Sequence, residues 1–247
     1  MTTDSSASRG ESRFVSLLAA LVDQGCQSIV NFLLTVFVAR RLTSVEFGKF
    51  AVAFVVLISI HGLLRVGFVE TYLVRCASST RAAAASARSL ERMLIFVGAS
   101  LAIATGIIGA AFGVQLALVL FLAGSIFAIS RLEAVRAVAI ATNDRRATLV
   151  IGIVWLATMA IGGLVAELAD LSFEMVFWLY IGAATLAYLS AKLLLWRSAN
   201  SEHSQFGWAD IRSLGVPLAL EHALTLAAIQ GVLPIVCLLY TSDAADE

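Results

Sequence analysis

Seven long apolar runs divide this 247-residue chain, and the gaps between them alternate between rich and poor in positive charge. On the poor side, the first gap holds Arg40, Arg41 and Lys49, and the next two gaps hold no positive residue. The rich gaps, which begin with the N-terminal segment, hold the other fourteen: Arg9, Arg13, Arg65, Arg75, Arg81, Arg88, Arg92, Arg131, Arg136, Arg145, Arg146, Lys192, Arg197 and Arg212. Positive residues beside membrane spans stay in the cytoplasm. The pattern therefore predicts a chain that crosses a membrane repeatedly, with its N-terminus inside.

Each apolar run is long enough to cross a bilayer as a helix, which takes about 20 residues. Backbone polar groups in lipid must be satisfied within the protein, which favours helices, and the period-two alternation of a membrane barrel is absent. The sequence thus predicts an all-α polytopic integral membrane protein. The predicted spans are Phe14–Ala39, Phe50–Val74, Leu94–Val114, Gln115–Ala141, Ala147–Glu167, Phe173–Trp196 and Ile211–Val236.

Composition excludes several classes of function. Hydrophobic residues make up 60% of the chain and charged residues 14%, against about a quarter charged in soluble domains. The basic residues lie at span ends rather than in one patch, so no nucleic acid is expected as a partner. Three cysteines without paired spacing indicate neither disulfides nor a metal site. No metalloprotease, phosphate-loop or nucleophile-elbow motif occurs, so we do not expect an enzyme.

Polar side chains inside the first span form one set of candidate functional residues. Asp23, Gln27, Asn31 and Thr35 are spaced by four and share one helix face. At 1.5 Å per residue, Asp23 lies about 14 Å from the predicted start of the span, near the bilayer centre. The stripe is either a cavity wall that meets sugar hydroxyls or a coupling ion, or a set of interhelical hydrogen bonds.

The second and seventh spans supply the remaining candidates. His61 and Arg65 share a face of the second helix; Arg65 either binds a phosphate or extends to the head groups. His61 is either a satisfied bundle histidine or a proton relay. Glu221 and His222 are central in the seventh span and either contact an ion or substrate, or pair with further helices. In the fourth span, Arg131, Glu133 and Arg136 are predicted to form a solvated face.

Short motifs at the helix ends resemble a known family. The first span ends in Ala39-Arg40 and Leu42, and the second begins with Glu46-Phe47-Gly48; Val66-Gly67, Leu73-Val74-Arg75 and Gly215-Val216-Pro217 follow. This resembles polysaccharide flippases, which carry O-antigen and other lipid-linked oligosaccharides, of the multidrug/oligosaccharidyl-lipid/polysaccharide exporter superfamily. Thr43-Ser44 departs from the Gly-Pro that is common in the family, although a turn can still form there.

The resemblance implies twelve or more helices in two lobes of six around a central cavity. Residues 14–196 would then be the first lobe, preceded by a flexible cytoplasmic tail over 1–13. A cytoplasmic linker over 197–210 would lead to 211–236, the first helix of a second lobe that the chain otherwise lacks.

The same resemblance implies a function in the bacterial inner membrane: flipping a polyprenyl-diphosphate-linked oligosaccharide by alternating access. Its partners would be the bilayer, the glycan substrate, the C-terminal lobe and the polysaccharide polymerase machinery. No metal or organic cofactor is expected, and H⁺ or Na⁺ is open as coupling ion. The alternatives are a cation-coupled drug antiporter of the same superfamily, a membrane-embedded glycan-assembly enzyme and a non-transporting scaffold.

The last eleven residues, 237–247, break the apolar pattern. They resemble the translated end of a transposon-type sequencing adapter. On that resemblance the native chain would continue past Val236, and the chain in hand would be an N-terminal fragment with a foreign tail.

Overall fold

A computed structural model describes residues 4–76, 79–195 and 206–227, with side chains from Leu18 onward. This part of the chain is helical throughout, and six of its helices are long and apolar enough to cross a membrane. The protein is therefore an all-α, multi-pass membrane protein, as predicted. Its elements are α1 Asp4–Ala39, α2 Ser44–Leu64, the π-helical segment π1 Arg65–Glu70, α3 Thr71–Cys76, α4 Thr80–Ala111, α5 Leu116–Ala141, α6 Arg145–Leu168, α7 Phe173–Leu195, α8 Trp208–Asp210, the π-helical segment π2 Ile211–Gly215, and α9 over 216–227.

Two helices begin earlier than the apolar runs indicate. Helix α1 starts at Asp4, inside the predicted tail 1–13. Helix α4 starts at Thr80, fourteen residues before the predicted Leu94, so the Ala-rich and Arg-containing stretch there is helical. Alanine and arginine are strong helix formers, which explains why both helices extend beyond the apolar stretch that is long enough to cross the bilayer. The predicted linker lies mostly outside the described residues, as do the end of the predicted seventh span and the predicted foreign tail.

Local signals in the sequence explain where the helices turn. Thr43 caps α2, accepting from the Glu46 backbone N–H while the Glu46 carboxylate accepts from the Thr43 N–H. This capping box stands where the family commonly has Gly-Pro. Gly113, with φ of +63°, takes a left-handed conformation at the predicted turn between α4 and α5. The Asp144 side chain accepts from the Ala147 N–H and starts α6.

Helix α5 is the central element of the bundle and packs against α2, α4, α6 and α7. Its core neighbours include a stack of aromatic rings in which Phe121 and Phe177 are 4.4 Å apart between centroids. Large apolar residues on α4 and α6, such as Ile107 and Leu164, are exposed instead. A surface of this kind suits contact with lipid acyl chains, where apolar side chains need no protein cover.

Arg41 ties the end of α1 to the end of α6. Its guanidinium pairs with Glu167 at 2.8 Å and donates to the carbonyls of Ala166 and Leu171. Arg40 lies only 3.6 Å from the same carboxylate and is largely exposed. Glu167, the last residue of the fifth predicted span, is thus the ion-pair partner of the two arginines that follow α1.

The segment 206–227 lies against π1 and α3. A Cβ placed on Gly215 would overlap the Gly67 carbonyl, so the two backbones approach closely at these glycines. Arg75 pairs with Asp210 at 3.2 Å, and its guanidinium donates to the Ser213 hydroxyl at 3.2 Å. This docking brings α9 alongside α2.

Candidate functional site

Four ionisable side chains from three helices meet inside the bundle. Arg136 of α5 lies between Asp23 of α1 and Glu133 of its own helix, and His61 of α2 lies on the far side of Glu133. Arg136 Nε is 2.8 Å from Asp23 Oδ2, and Arg136 Nη2 is 3.5 Å from Asp23 Oδ1. Arg136 Nη1 binds Glu133 Oε1, and His61 Nε2 is 3.3 Å from the same oxygen. We call these four residues the charge cluster.

The charge cluster is buried. Exposure is 3% for Asp23, 1% for Glu133 and 3% for Arg136, and the His61 side chain is 11% exposed. Removing charges from water is costly unless each is paired, and breaking such a pair leaves an uncompensated buried charge. The cluster holds two carboxylates against one guanidinium. The Arg65 guanidinium, one turn beyond His61, is a second positive charge that acts on both carboxylates.

Two residues of α6 hold the charge cluster in place. A Cβ on Gly152 of α6 would stand 3.0 Å from the Asp23 Cα, so α6 approaches α1 closely at this point. The Trp155 ring, one turn further along α6, lies 5.6 Å from the Arg136 guanidinium carbon. This distance permits a cation–π contact. Asp23 and Arg136 are thus positioned by α6, although neither belongs to it.

Polar groups continue away from the charge cluster along α1. Gln27 is buried, and its side-chain oxygen has no hydrogen-bond partner among the described residues. Asn31 accepts a hydrogen bond from the Tyr180 hydroxyl at 3.1 Å. Thr35 donates to the Asn31 backbone carbonyl. The predicted stripe therefore divides into Asp23 and Gln27, which are buried in and beside the charge cluster, and two residues with local or interhelical bonds.

The other predicted site residues lie at differing distances from the charge cluster. Arg65, one turn from His61, donates to Gln24 of α1 at 3.2 Å and so links α1 to π1, which continues α2. The His222 ring of α9 lies against Gly62, next in sequence to His61. Glu221 is exposed. The structure thus brings Asp23 and His61 together, with Gln27, Arg65 and His222 around them, and leaves Glu221 apart.

The packing on α6 gives the position of Asp23 along the bundle. Asp23 lies level with Gly152, seven residues from the start of α6 at Arg145. At 1.5 Å per residue this is about 10 Å from the α5–α6 turn, in the half of α6 nearest that turn. The depth of Asp23 in a bilayer remains a prediction.

Sequence reasoning missed Glu133 and Arg136, which were predicted to form a solvated face with Arg131. Glu133 and Arg136 are almost completely buried. Helix α5 is apolar on every side, so its sequence does not show which face is buried. Glu133 and Arg136 are also near one end of the predicted span, where charged residues resemble those of the membrane interface. One signal was available: apolar residues continue past Arg136 as far as Ala141, which places both charges inside the helix rather than at its end.

These features define a membrane-embedded helical lobe with an ionisable cluster at its interior. Comparison with protein-family models gives no match, and comparison with curated proteins gives none either. Two solved structures share the fold. A MOP superfamily transporter from Pyrococcus furiosus Vc1 is 14% identical with a TM-score of 0.60. A multidrug resistance MATE family transporter of the MOP superfamily, in an outward-facing conformation, is 13% identical with a TM-score of 0.61.

Each comparison covers 88% of this chain and 54% of the solved chain. The chain thus spans about half the length of the structures it matches. At these identities the likeness concerns the fold.

Proposed function

We propose that this chain is part of a transporter of the multidrug/oligosaccharidyl-lipid/polysaccharide exporter superfamily. The observation that carries the proposal is the buried charge cluster inside a fold shared with two transporters of that superfamily. Ionisable groups within membrane spans are expensive and mark pathways for ions or substrates. A second lobe, supplied by residues beyond this chain, would complete the central cavity.

We propose that the substrate is a polyprenyl-diphosphate-linked oligosaccharide, flipped by alternating access across the bacterial inner membrane. The helix-end motifs support this choice, and Arg65 supplies suitable chemistry. Its guanidinium lies at the edge of the charge cluster, bonded to a neutral Gln24 side chain rather than to a carboxylate. A guanidinium in that state can take a phosphate oxygen by two parallel hydrogen bonds. Gln27, with its unbonded side-chain oxygen, could accept from a sugar hydroxyl.

The charge cluster would couple transport to a cation. Asp23 and Glu133 are carboxylates that a proton or a Na⁺ can bind, in competition with the Arg136 guanidinium between them. Loading and release of that cation would change the balance of the Asp23–Arg136–Glu133 contacts. Because Asp23 and His61 lie on different helices, such a change can alter how α1 and α2 pack on α5.

The alternative function is a cation-coupled antiporter of small molecules or drugs. The two buried carboxylates of the cluster, Asp23 and Glu133, favour it, since they can attract a cationic substrate. A glycan-assembly enzyme is less favoured because three turns at the end opposite the α5–α6 turn are short. They comprise residues 40–43, 112–115 and 169–172, and offer little room for a catalytic loop.

A complementation experiment tests the proposal. The chain, joined to the sequence that follows it in its genome, is expressed in a bacterium that lacks its own polysaccharide flippase. Restored surface glycan is the expected result, with loss in Asp23→Ala and Arg65→Ala and retention in the exposed control Arg92→Ala. Normal glycan in both site variants would remove these residues from the mechanism. Drug efflux without any restored glycan would favour the antiporter.

A further inference from the structure

A second charged group lies on the opposite side of α5 from the charge cluster. Helices α4 and α7 both pack on α5, and Arg131 of α5 lies between them. Its guanidinium carbon is 4.2 Å from the Tyr188 ring centroid and 5.5 Å from that of Phe127. Glu91 of α4 and Lys192 of α7 complete the group. Lys192 donates to Glu91 at 2.5 Å, and the Tyr188 hydroxyl donates to the same carboxylate oxygen at 2.5 Å.

Arg131 has cation–π contacts but no charge partner within the described part of the chain. Its Nε is buried without a hydrogen-bond acceptor, and the one nearby carboxylate, Glu91, already pairs with Lys192. The group of Arg131, Lys192 and Glu91 therefore carries one excess positive charge. A guanidinium in an apolar helical bundle without an acceptor is costly, so a ligand that supplies anionic oxygens would stabilise it.

The depth of this group suits a lipid head group. Uncharged residues run from 93 to 111 in α4, from 116 to 130 in α5 and from 175 to 191 in α7. At 1.5 Å per residue these stretches measure about 28, 22 and 25 Å, close to the hydrocarbon thickness of a bilayer. The uncharged stretches end at Arg92, Arg131 and Lys192 on the same side of the bundle. Head-group phosphates of one leaflet lie at this level.

The helix face that carries Arg131 is apolar along the rest of its length. Phe127, Leu120 and Leu116 follow on α5, at helical spacing from Arg131. Leu116 and Leu120 line an open cavity together with Trp178 and Ile181 of α7, and Gln115 and Glu174 line it at the starts of the two helices. Trp178 and Ile181 share a face with Tyr188 and Lys192. From Arg131 to Leu120 is about 16 Å, so a molecule with an anionic head and an apolar tail matches the whole face.

We propose that Arg131 and Lys192, between α4 and α7, bind the phosphate of an anionic bilayer phospholipid whose acyl chain lies along the Phe127–Leu116 face of α5. The Arg131 guanidinium supplies two N–H donors to phosphate oxygens, and stacking on the Tyr188 ring fixes the orientation of the guanidinium plane. Basic groups between membrane helices at the head-group level recognise lipids in this way. The site is separate from the charge cluster and does not depend on the proposed transport function.

Lipid binding by the purified 247-residue chain tests this site. The delipidated protein is titrated with dioleoyl phosphatidylglycerol, and retained adducts are counted by native mass spectrometry. One adduct should persist, with about tenfold weaker binding in Arg131→Gln and about threefold weaker binding in Lys192→Gln. Tenfold corresponds to ~1.4 kcal/mol. The matched control is Arg92→Gln, which removes an exposed positive charge of α4 next to Glu91 and should bind as the unaltered protein does.

Several outcomes would overturn the assignment. One is equal binding by the unaltered protein, Arg131→Gln and Lys192→Gln; another is an equal loss in Arg92→Gln, which would indicate unspecific attraction. If Arg131→Gln does not fold, Lys192→Gln decides alone. If dioleoylglycerol is retained as well as phosphatidylglycerol, the phosphate is not recognised. If inorganic phosphate binds as well as phosphatidylglycerol, the acyl chain is not recognised. Displacement of phosphatidylglycerol by a polyprenyl diphosphate at lower concentration would assign the site to that lipid instead.

Discussion

At the scale of single residues, burial determines what each charge can do. Arg40 and Arg41 are neighbours in sequence, yet only Arg41 binds backbone carbonyls of the α6–α7 turn. Arg131 and Arg136 lie on one helix, yet Arg136 pairs with two carboxylates while Arg131 contacts aromatic rings. Arginine suits both environments because its planar fork binds carboxylates and also stacks on rings. The role of each arginine therefore depends on what the other helices place beside it.

Replacing Arg136 should strongly destabilise the protein. Arg136→Gln leaves Asp23 and Glu133 as buried carboxylates without a cation, and breaking a buried pair in this way costs about 3–5 kcal/mol. The loss can be measured by thermal or detergent-induced unfolding of the purified chain. The exposed control Arg92→Gln should change stability by less than about 0.5 kcal/mol. Equal stability of the two variants would show that the charge cluster does not hold the bundle together.

At the scale of helices, the apolar runs predicted most spans, and the short α4–α5 turn at Gly113 is confirmed. The predicted starts of two helices were wrong, because α1 and α4 extend into polar sequence. Hydropathy does not indicate a helix in such sequence. The candidate site was half predicted. Asp23 and His61 stood out as ionisable residues at mid-span positions, whereas Glu133 and Arg136 did not. Which face of α5 meets α1 and α2 cannot be read from a helix that is apolar all round.

The approach of α6 to α1 gives a prediction at this scale. Gly152→Leu would place a side chain against Asp23 and Cys26, because even a Cβ there lies 3.0 Å from the Asp23 Cα and 3.2 Å from the Cys26 Cβ. Overpacking of this kind typically costs about 1–3 kcal/mol. Unfolding of the purified variant measures it.

The matched control is Gly182→Leu on α7, where nothing lies within 4 Å of the added Cβ. This variant should unfold like the unaltered protein. If Gly152→Leu also did so, α6 would not be what positions Asp23.

At the scale of the whole molecule, the alternation of charge and the order of the helices agree. Successive spans run in opposite directions, so the turns 40–43, 112–115 and 169–172 fall at one end and the α5–α6 turn at the other. The cytoplasmic location of the α5–α6 end remains a prediction from the charge rule. That orientation determines from which side the charge cluster, about 10 Å from this turn, would exchange its cation.

Cysteine labelling in intact cells tests the orientation. In a variant without native cysteines, Arg146→Cys should react with a membrane-impermeant thiol reagent only after the cells are opened. Ala169→Cys, at the other end of α6 and exposed, should react before. Labelling of Arg146→Cys in intact cells would show that the topology is the reverse of the predicted one. The charge cluster would then lie nearer the outer side of the membrane.

The sequence by itself determined that this chain is a multi-pass helical membrane protein, because hydrophobic length and charge placement act through the bilayer rather than through particular contacts. It also singled out Asp23 and His61, since ionisable groups inside apolar spans are rare. Only the tertiary structure decided that Arg136 and Glu133 join them, and that Arg131 faces the opposite side. The physical reason is that pairing of buried charges depends on how the helices are rotated and how closely they approach, as at Gly152. These quantities are set by the packing of all the helices together.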